Sequence, residues 1–145
     1  GEVPEGDYTI PLGVADIRRV GSDVTIVSFG KIIKDADKAA DELEKEGISC
    51  EIIDLRTVKP LDYEAILTSV KKTNRLVILE EAWPFGNVAT EITYHVQAHA
   101  FDYLDAPIVK INTADTPAPY SPVLLAEWLP NHTDVIKAVK KVMYK

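Results

Sequence analysis

Short apolar runs alternate along the chain with stretches in which apolar residues recur every three or four positions. The runs are "DVTIVSFG" (23–30), "ISCEIIDL" (48–55), "RLVILE" (75–80) and "PIVKINTA" (107–114). Their length, β-branched content and turn-forming flanks predict strands, and apolar character throughout predicts strands covered on both faces. The periodic stretches predict helices. From Lys31 to about Glu46, Ile32, Ala36, Ala39, Ala40 and Leu43 share one face, the opposite face is charged, and Gly47 supplies the stop. Asp62 caps a second helix, "YEAILTSVKKT", with Glu64 in its first turn and Lys71 and Lys72 in its last, as the helix dipole prefers. "FGNVATEITYHVQAHA" gives a third helix on the stripe Val88, Ile92 and Val96. A closing helix, about Thr133 to Tyr144, rests on Val135, Val139 and Val142. The proline-rich "DTPAPYSP" between the fourth strand and that helix reads as a loop.

Strands alternating with helices imply an α/β fold, a parallel sheet with right-handed crossovers that place helices on both sides. The first twenty residues depart from this rhythm. "GEVPEGDYTIPLG" has no period and carries Pro4, Gly6, Pro11 and Gly13, so an extended arm is expected, of the kind that follows a preceding domain. "VADIRRVG" has no clean two-faced pattern and suits an edge strand at most. The division is thus an arm over 1–20, with that possible strand, and a domain over 21–145.

Composition narrows the function classes. The length, 145 residues, suits one such domain with its own core. No apolar run approaches a membrane span. Asp and Glu number 23 against 16 Lys and Arg, a net charge of −7, which argues against nucleic acid and toward a basic partner. The single cysteine, Cys50, excludes a disulfide framework, fits a reducing compartment, and in its strand reads as a small core hydrophobe.

In a doubly wound sheet the strands' carboxyl ends present the ligand-binding loops, here "SFGK", "DLRTVKPLD", "LEEAWPFGN" and "NTADTPAPY". None has a phosphate-cradling glycine pattern, since Gly30 and Gly86 stand alone, and "SFG" lacks the glycine frame of a nucleophile elbow. Glu80 and Glu81 are the acid–base candidates, but strand neighbours point to opposite faces, so a helix cap or ion pair is the better reading. His95 and His99 have the four-residue spacing of a metal-chelating helix, yet with no third ligand nearby they read as an exposed flank. Trp83 and Phe85, in the loop opening a helix, are core plugs or interface anchors. Arg56 cannot shed its charge and must find an anion, with Asp54 and Asp62 nearest in sequence, as a loop brace or a contact across a boundary.

The whole chain resembles the C-terminal domain of the β subunit of the thiamine-diphosphate-dependent 2-oxo acid dehydrogenases. The resemblance is carried by "VPEGDYTIPLG", "GISCEIIDLRTVKPLD", "KTNRLVILEEAWPFGNVATEI", "FDYLDAPIVKINTADTPAPY" and "DVIKAVKKVMYK", in order. "LRTVKPLD" is shared more loosely with transketolases, and "LDAP" with "PAPY" looks closer to pyruvate dehydrogenases than to branched-chain ones. The resemblance implies a three-layer α/β/α domain with a mixed, mostly parallel sheet of about five strands, following a pyrimidine-binding domain. It implies no catalytic, cofactor or metal residue in this segment, because thiamine diphosphate and magnesium lie between that other domain and the α subunit. The implied partners are a second β subunit, the α subunit, and the acyltransferase component through its peripheral-subunit-binding domain. The implied docking groups are Asp105 in "LDAP" and the terminal carboxylate, at Lys145 if the chain ends there. Arg56, Trp83 and Phe85 are then expected at subunit contacts. Val14 replaces a usual lysine, Phe85 and Gly86 come one position early, and Leu125 replaces a typical glutamate. Two other classes fit the same pattern: the C-terminal domain of a transketolase or deoxyxylulose-phosphate synthase, and a free-standing ligand-binding module.

Overall fold

The computed structural model describes residue 3 and residues 5–145, so the expectations for Gly1, Glu2 and Pro4 of the arm lie outside the described residues. Five strands form one sheet: β1 (Asp16–Arg19), β2 (Val24–Ser28), β3 (Cys50–Asp54), β4 (Leu76–Leu79) and β5 (Val109–Ile111). Its order is β1-β3-β2-β4-β5, parallel except for β1, which runs antiparallel to β3. Five α-helices accompany it: α1 (Ile33–Lys45), α2 (Tyr63–Thr73), α3 (Val88–Ala100), α4 (Pro122–Trp128) and α5 (His132–Val142).

Strand alternation divides the core into two layers. Val24, Ile26, Cys50, Ile52, Val77 and Leu79 pack with α1 and α5. Val27, Ile53, Leu55, Leu76 and Ile78 face α2 and α3. The helices begin where their caps dictate: Asp62 accepts from the Ala65 amide, Asn87 from the Thr90 amide, and Asn131 forms a capping box with Asp134. The three-layer architecture and mostly parallel five-stranded sheet are those the sequence implies.

The possible edge strand is present, and one helix was not expected. "VADIRRVG" contributes a true strand at the sheet's edge, where Arg18 pairs with Asp37 and Arg19 with Asp41 and Glu44 of α1. Gly21, just after it, passes so close to the backbone of Cys50 and Glu51 that a Cβ has no room there. The segment after "DTPAPY" is not wholly loop, because Ser121-Pro122 starts α4, none of whose residues is buried.

The β3 run conceals a charge. Glu51 is 3% exposed and points toward α2, where its carboxylate meets the Lys72 ammonium and the Gly21 amide. Burial pushes its pKa up, but Lys72, the Ser69 hydroxyl and Gly21 outweigh that and hold it below the ordinary value. Beside it the Thr25 hydroxyl bonds those of Ser69 (2.6 Å) and Thr73 (2.7 Å), so this polar patch within the core is satisfied.

Candidate functional site

"LRTVKPLD" empties into a turn whose polar groups fasten the incoming chain. Leu55 is buried, and Arg56 follows in the left-handed region at φ 55°. The Arg56 guanidinium lies 3.2 Å from Asp16 of β1. This corrects the expected partners: Asp54 accepts the Arg56 backbone amide at 3.0 Å, and Asp62 is engaged elsewhere. Thr57 Oγ1 accepts from the Gly13 amide (3.0 Å) and donates to the Pro60 carbonyl (2.9 Å). Asp62 uses both carboxylate oxygens, Oδ1 for Ala65 at the start of α2 and Oδ2 for the Ala15 amide at 2.9 Å. Three side chains of one motif thus tie down residues 13, 15 and 16, where the arm becomes β1.

A crevice of about 540 Å³ opens at the carboxyl ends of β2 and β4, on either side of which the chain winds in opposite directions. Its floor is Glu80, fully buried. Both Glu80 oxygens accept from the Ala89 amide at 3.3 Å, and Asn112 Nδ2 donates to one at 3.0 Å. Burial pushes the Glu80 pKa up against these donors. Glu81 is exposed. The two glutamates therefore diverge, and Glu80 caps α3 from inside the protein.

Trp83 and Phe85 project from the β4–α3 loop, and neither is a core plug. Trp83 Nε1 donates to the Thr116 carbonyl at 3.0 Å, and Trp128 Nε1 donates to the same oxygen at 2.9 Å. The two indoles pin the β5–α4 loop from both sides. Phe85 is 90% exposed, and Tyr120, Val123 and Leu124 are exposed in the loop and helix that follow. Lys110 Nζ reaches the Pro84 carbonyl (3.1 Å) and Thr90 Oγ1 (2.8 Å), holding the base of the Trp83–Phe85 loop. The result is a braced ledge at Trp83 and Phe85, with further apolar side chains on solvent along the β5–α4 loop and α4. Sequence reading overlooked its α4 half, although Ser-Pro before "VLLAEW" was the available signal.

Asp105 and Lys145 are brought to one corner. The Tyr144 hydroxyl donates to the Asp105 carbonyl at 3.1 Å, the Asp105 carboxylate lies 3.3 Å from Arg75, and Lys145 follows on the surface. Cys50 is buried, and burial pushes its thiol up to about 12, so it is a core residue without thiolate character at neutral pH. His95 and His99 stand together on the α3 surface, but among the described residues no three His, Cys, Asp or Glu side chains converge as a metal cage.

Comparison with known proteins places this architecture. The profile of the family "Transketolase, C-terminal domain" matches residues 13–135. The chain belongs to this family. Pyruvate dehydrogenase E1 component subunit beta of Rhizobium meliloti is 52% identical over 145 residues, covering 99% of this chain and 32% of that protein. The subunit of that name from Bacillus subtilis is 44% identical over 142 residues, 98% of this chain and 43% of that one. The acetoin:2,6-dichlorophenolindophenol oxidoreductase subunit beta of Bacillus subtilis is 47% identical over 143 residues, 99% and 42%. The chain spans less than half the length of these relatives. A solved split-gene transketolase, an inactive β4 tetramer, superposes with a TM-score of 0.83 at 28% identity, over 99% of this chain and 46% of that one.

Within this transketolase C-terminal domain the switch-point crevice is chemically unsuited to a diphosphate. Glu80, Glu81 and Glu91 line it with Phe29, Trp83 and Phe85, and among the described residues no lysine or arginine is in its wall. The amides at the start of α3, which would attract phosphate in a nucleotide-binding relative of this topology, are already taken by Glu80 and Asn87. This edge presents aromatic area and two exposed carboxylates, Glu81 and Glu91, on a rigid frame.

Proposed function

We propose that this domain is the assembly module of the β subunit of a pyruvate-type 2-oxo acid dehydrogenase. In the intact enzyme the reaction is oxidative decarboxylation of the 2-oxo acid with transfer of the acyl group to a lipoyl arm. Thiamine diphosphate and magnesium supply the carbanion chemistry from sites outside these residues. The observation that carries the reading is identity of 52% over 145 residues, covering 99% of this chain, to a pyruvate dehydrogenase β subunit. The −7 charge agrees with basic partners, and the ledge agrees with an apolar one.

In this reading Trp83 and Phe85 anchor a subunit contact at the carboxyl edge, and Arg56 lies at the periphery of such a contact while holding Asp16. Asp105, with Lys145 at the same corner, receives the acyltransferase's peripheral-subunit-binding domain. The described arm continues from a pyrimidine-binding domain. The test is the intact β subunit, expressed with its α subunit, in pyruvate decarboxylation and sedimentation assays. Phe85→Ser is expected to leave the β subunit's melting temperature unchanged, since the ring is on solvent, and to weaken assembly by about 2 kcal/mol, roughly thirtyfold, as for an anchor residue. Full assembly by the variant removes the ledge from the interface. Turnover of acetoin in place of pyruvate moves the enzyme to the acetoin branch, whose β subunit is 47% identical.

A further inference from the structure

Assembly leaves one surface cluster without a role. His95 and His99 lie one turn apart on α3, with ring centroids 4.4 Å apart and planes inclined by 47°. Glu91 is one turn earlier, so the three share a stripe at i, i+4 and i+8. The stripe is held from the side by α2. Tyr63 stacks on the His95 ring at 3.8 Å, and its hydroxyl donates to Glu91 Oε1 at 2.8 Å. His95 is half-buried and His99 exposed, so one imidazole is fixed and the other reaches it from solvent.

Two imidazoles one turn apart on one helix, with a carboxylate on the turn before, set donor groups at a spacing that a metal cation can bridge. Imidazole pairs suit ions of borderline softness, copper(II) above nickel(II) and zinc(II). The Tyr63 stack reduces the ordering cost of binding, because His95 is already held.

We propose that His95 and His99 form an open two-imidazole site for a divalent transition ion of the copper or zinc class, with water completing the coordination and Glu91 contributing nearby charge. The site is a surface clasp on α3 and takes no part in thiamine chemistry. The experiment uses the intact, untagged β subunit titrated with copper(II), followed by electron paramagnetic resonance and by competition with a chelator of known affinity. One equivalent coupled to two imidazole nitrogens is expected. His99→Ala should weaken that equivalent at least tenfold and leave one coupled nitrogen. His95→Phe, which keeps a ring against Tyr63, should do the same with unchanged thermal unfolding. A wild-type spectrum without imidazole coupling overturns the site, as does retention of the same affinity and two-nitrogen signal when both histidines are replaced.

Discussion

Asp62 is the most economical place to test how the sheet edge is held, because one carboxylate serves two segments. Replacing it with alanine removes the cap on Ala65 (3.1 Å) and the acceptor for the Ala15 amide (2.9 Å). Loss of a helix N-cap costs about 1 kcal/mol. The second bond has a charged acceptor, worth roughly 1.5 kcal/mol at this half-buried position. The bonds lie on different elements, so the losses should nearly add, to about 2.5 kcal/mol. For a domain of this size that is a fall of roughly 8 °C in melting temperature. Asp62→Asn discriminates further. It has one acceptor oxygen for two donors, so it should keep about half of the stabilisation and turn an N–H toward the amide it fails to serve. The assay is urea unfolding of the chain by circular dichroism, with limited proteolysis of residues 5–15 as a local readout. Asp62→Ala should speed cleavage of the arm more than global unfolding explains. A cost under about 0.5 kcal/mol, or an Asn variant equal to wild type, refutes the double role.

Four further outcomes follow from the structure. Asp105→Ala in the intact β subunit should weaken capture of the acyltransferase's binding domain by about 1–3 kcal/mol, with a shallower salt dependence, as a charge-assisted contact requires; unchanged affinity at low salt removes Asp105 from that site. Glu80 titrates higher folded than unfolded because it is buried, so its contribution to stability is present below the unfolded carboxyl pKa and is lost as pH rises through the folded value; Glu80→Gln should therefore gain on wild type from acid to neutral pH in paired urea titrations, and parallel profiles would count against it. Glu51 has the opposite sign: held below its ordinary pKa, it stabilises above the unfolded carboxyl pKa and loses that stabilisation as pH falls through the folded value, so Lys72→Met should remove most of this acid sensitivity along with about 1–2 kcal/mol. Gly21→Ala should cost about 3 kcal/mol in chemical denaturation, since its Cβ meets the Cys50–Glu51 backbone and the β1–β3 pair must part to admit it.

Most of the architecture is legible in the chain because its signals are local. Periodicity of three and four along Ala36, Ala39, Ala40 and Leu43, the cap at Asp62 and the stop at Gly47 each act within a few residues, and the observed helices begin and end close to them. What escaped reading depends on distance. Arg56 takes its partner from residue 16, forty positions away, because the antiparallel turn of β1 brings Asp16 back beside Asp54. Glu51 reads as an intrusion in an apolar strand until α2 delivers Lys72 to it. α4 buries nothing, so it lacks the one-sided stripe by which amphipathic helices are found. The sheet's carboxyl edge was half legible: Trp83 and Phe85 stand out by residue type, whereas Trp128 meets Trp83 only through the carbonyl of Thr116.

That shared carbonyl has an optical consequence. The chain contains two tryptophans, and both indole N–H groups end on Thr116, so the protein's ultraviolet emission originates almost wholly from one border of the sheet. Any polypeptide settling over the Thr116 carbonyl dehydrates the neighbourhood of both indoles at once. Emission should shift to the blue in proportion to coverage, giving a label-free gauge of whether a partner docks on this border.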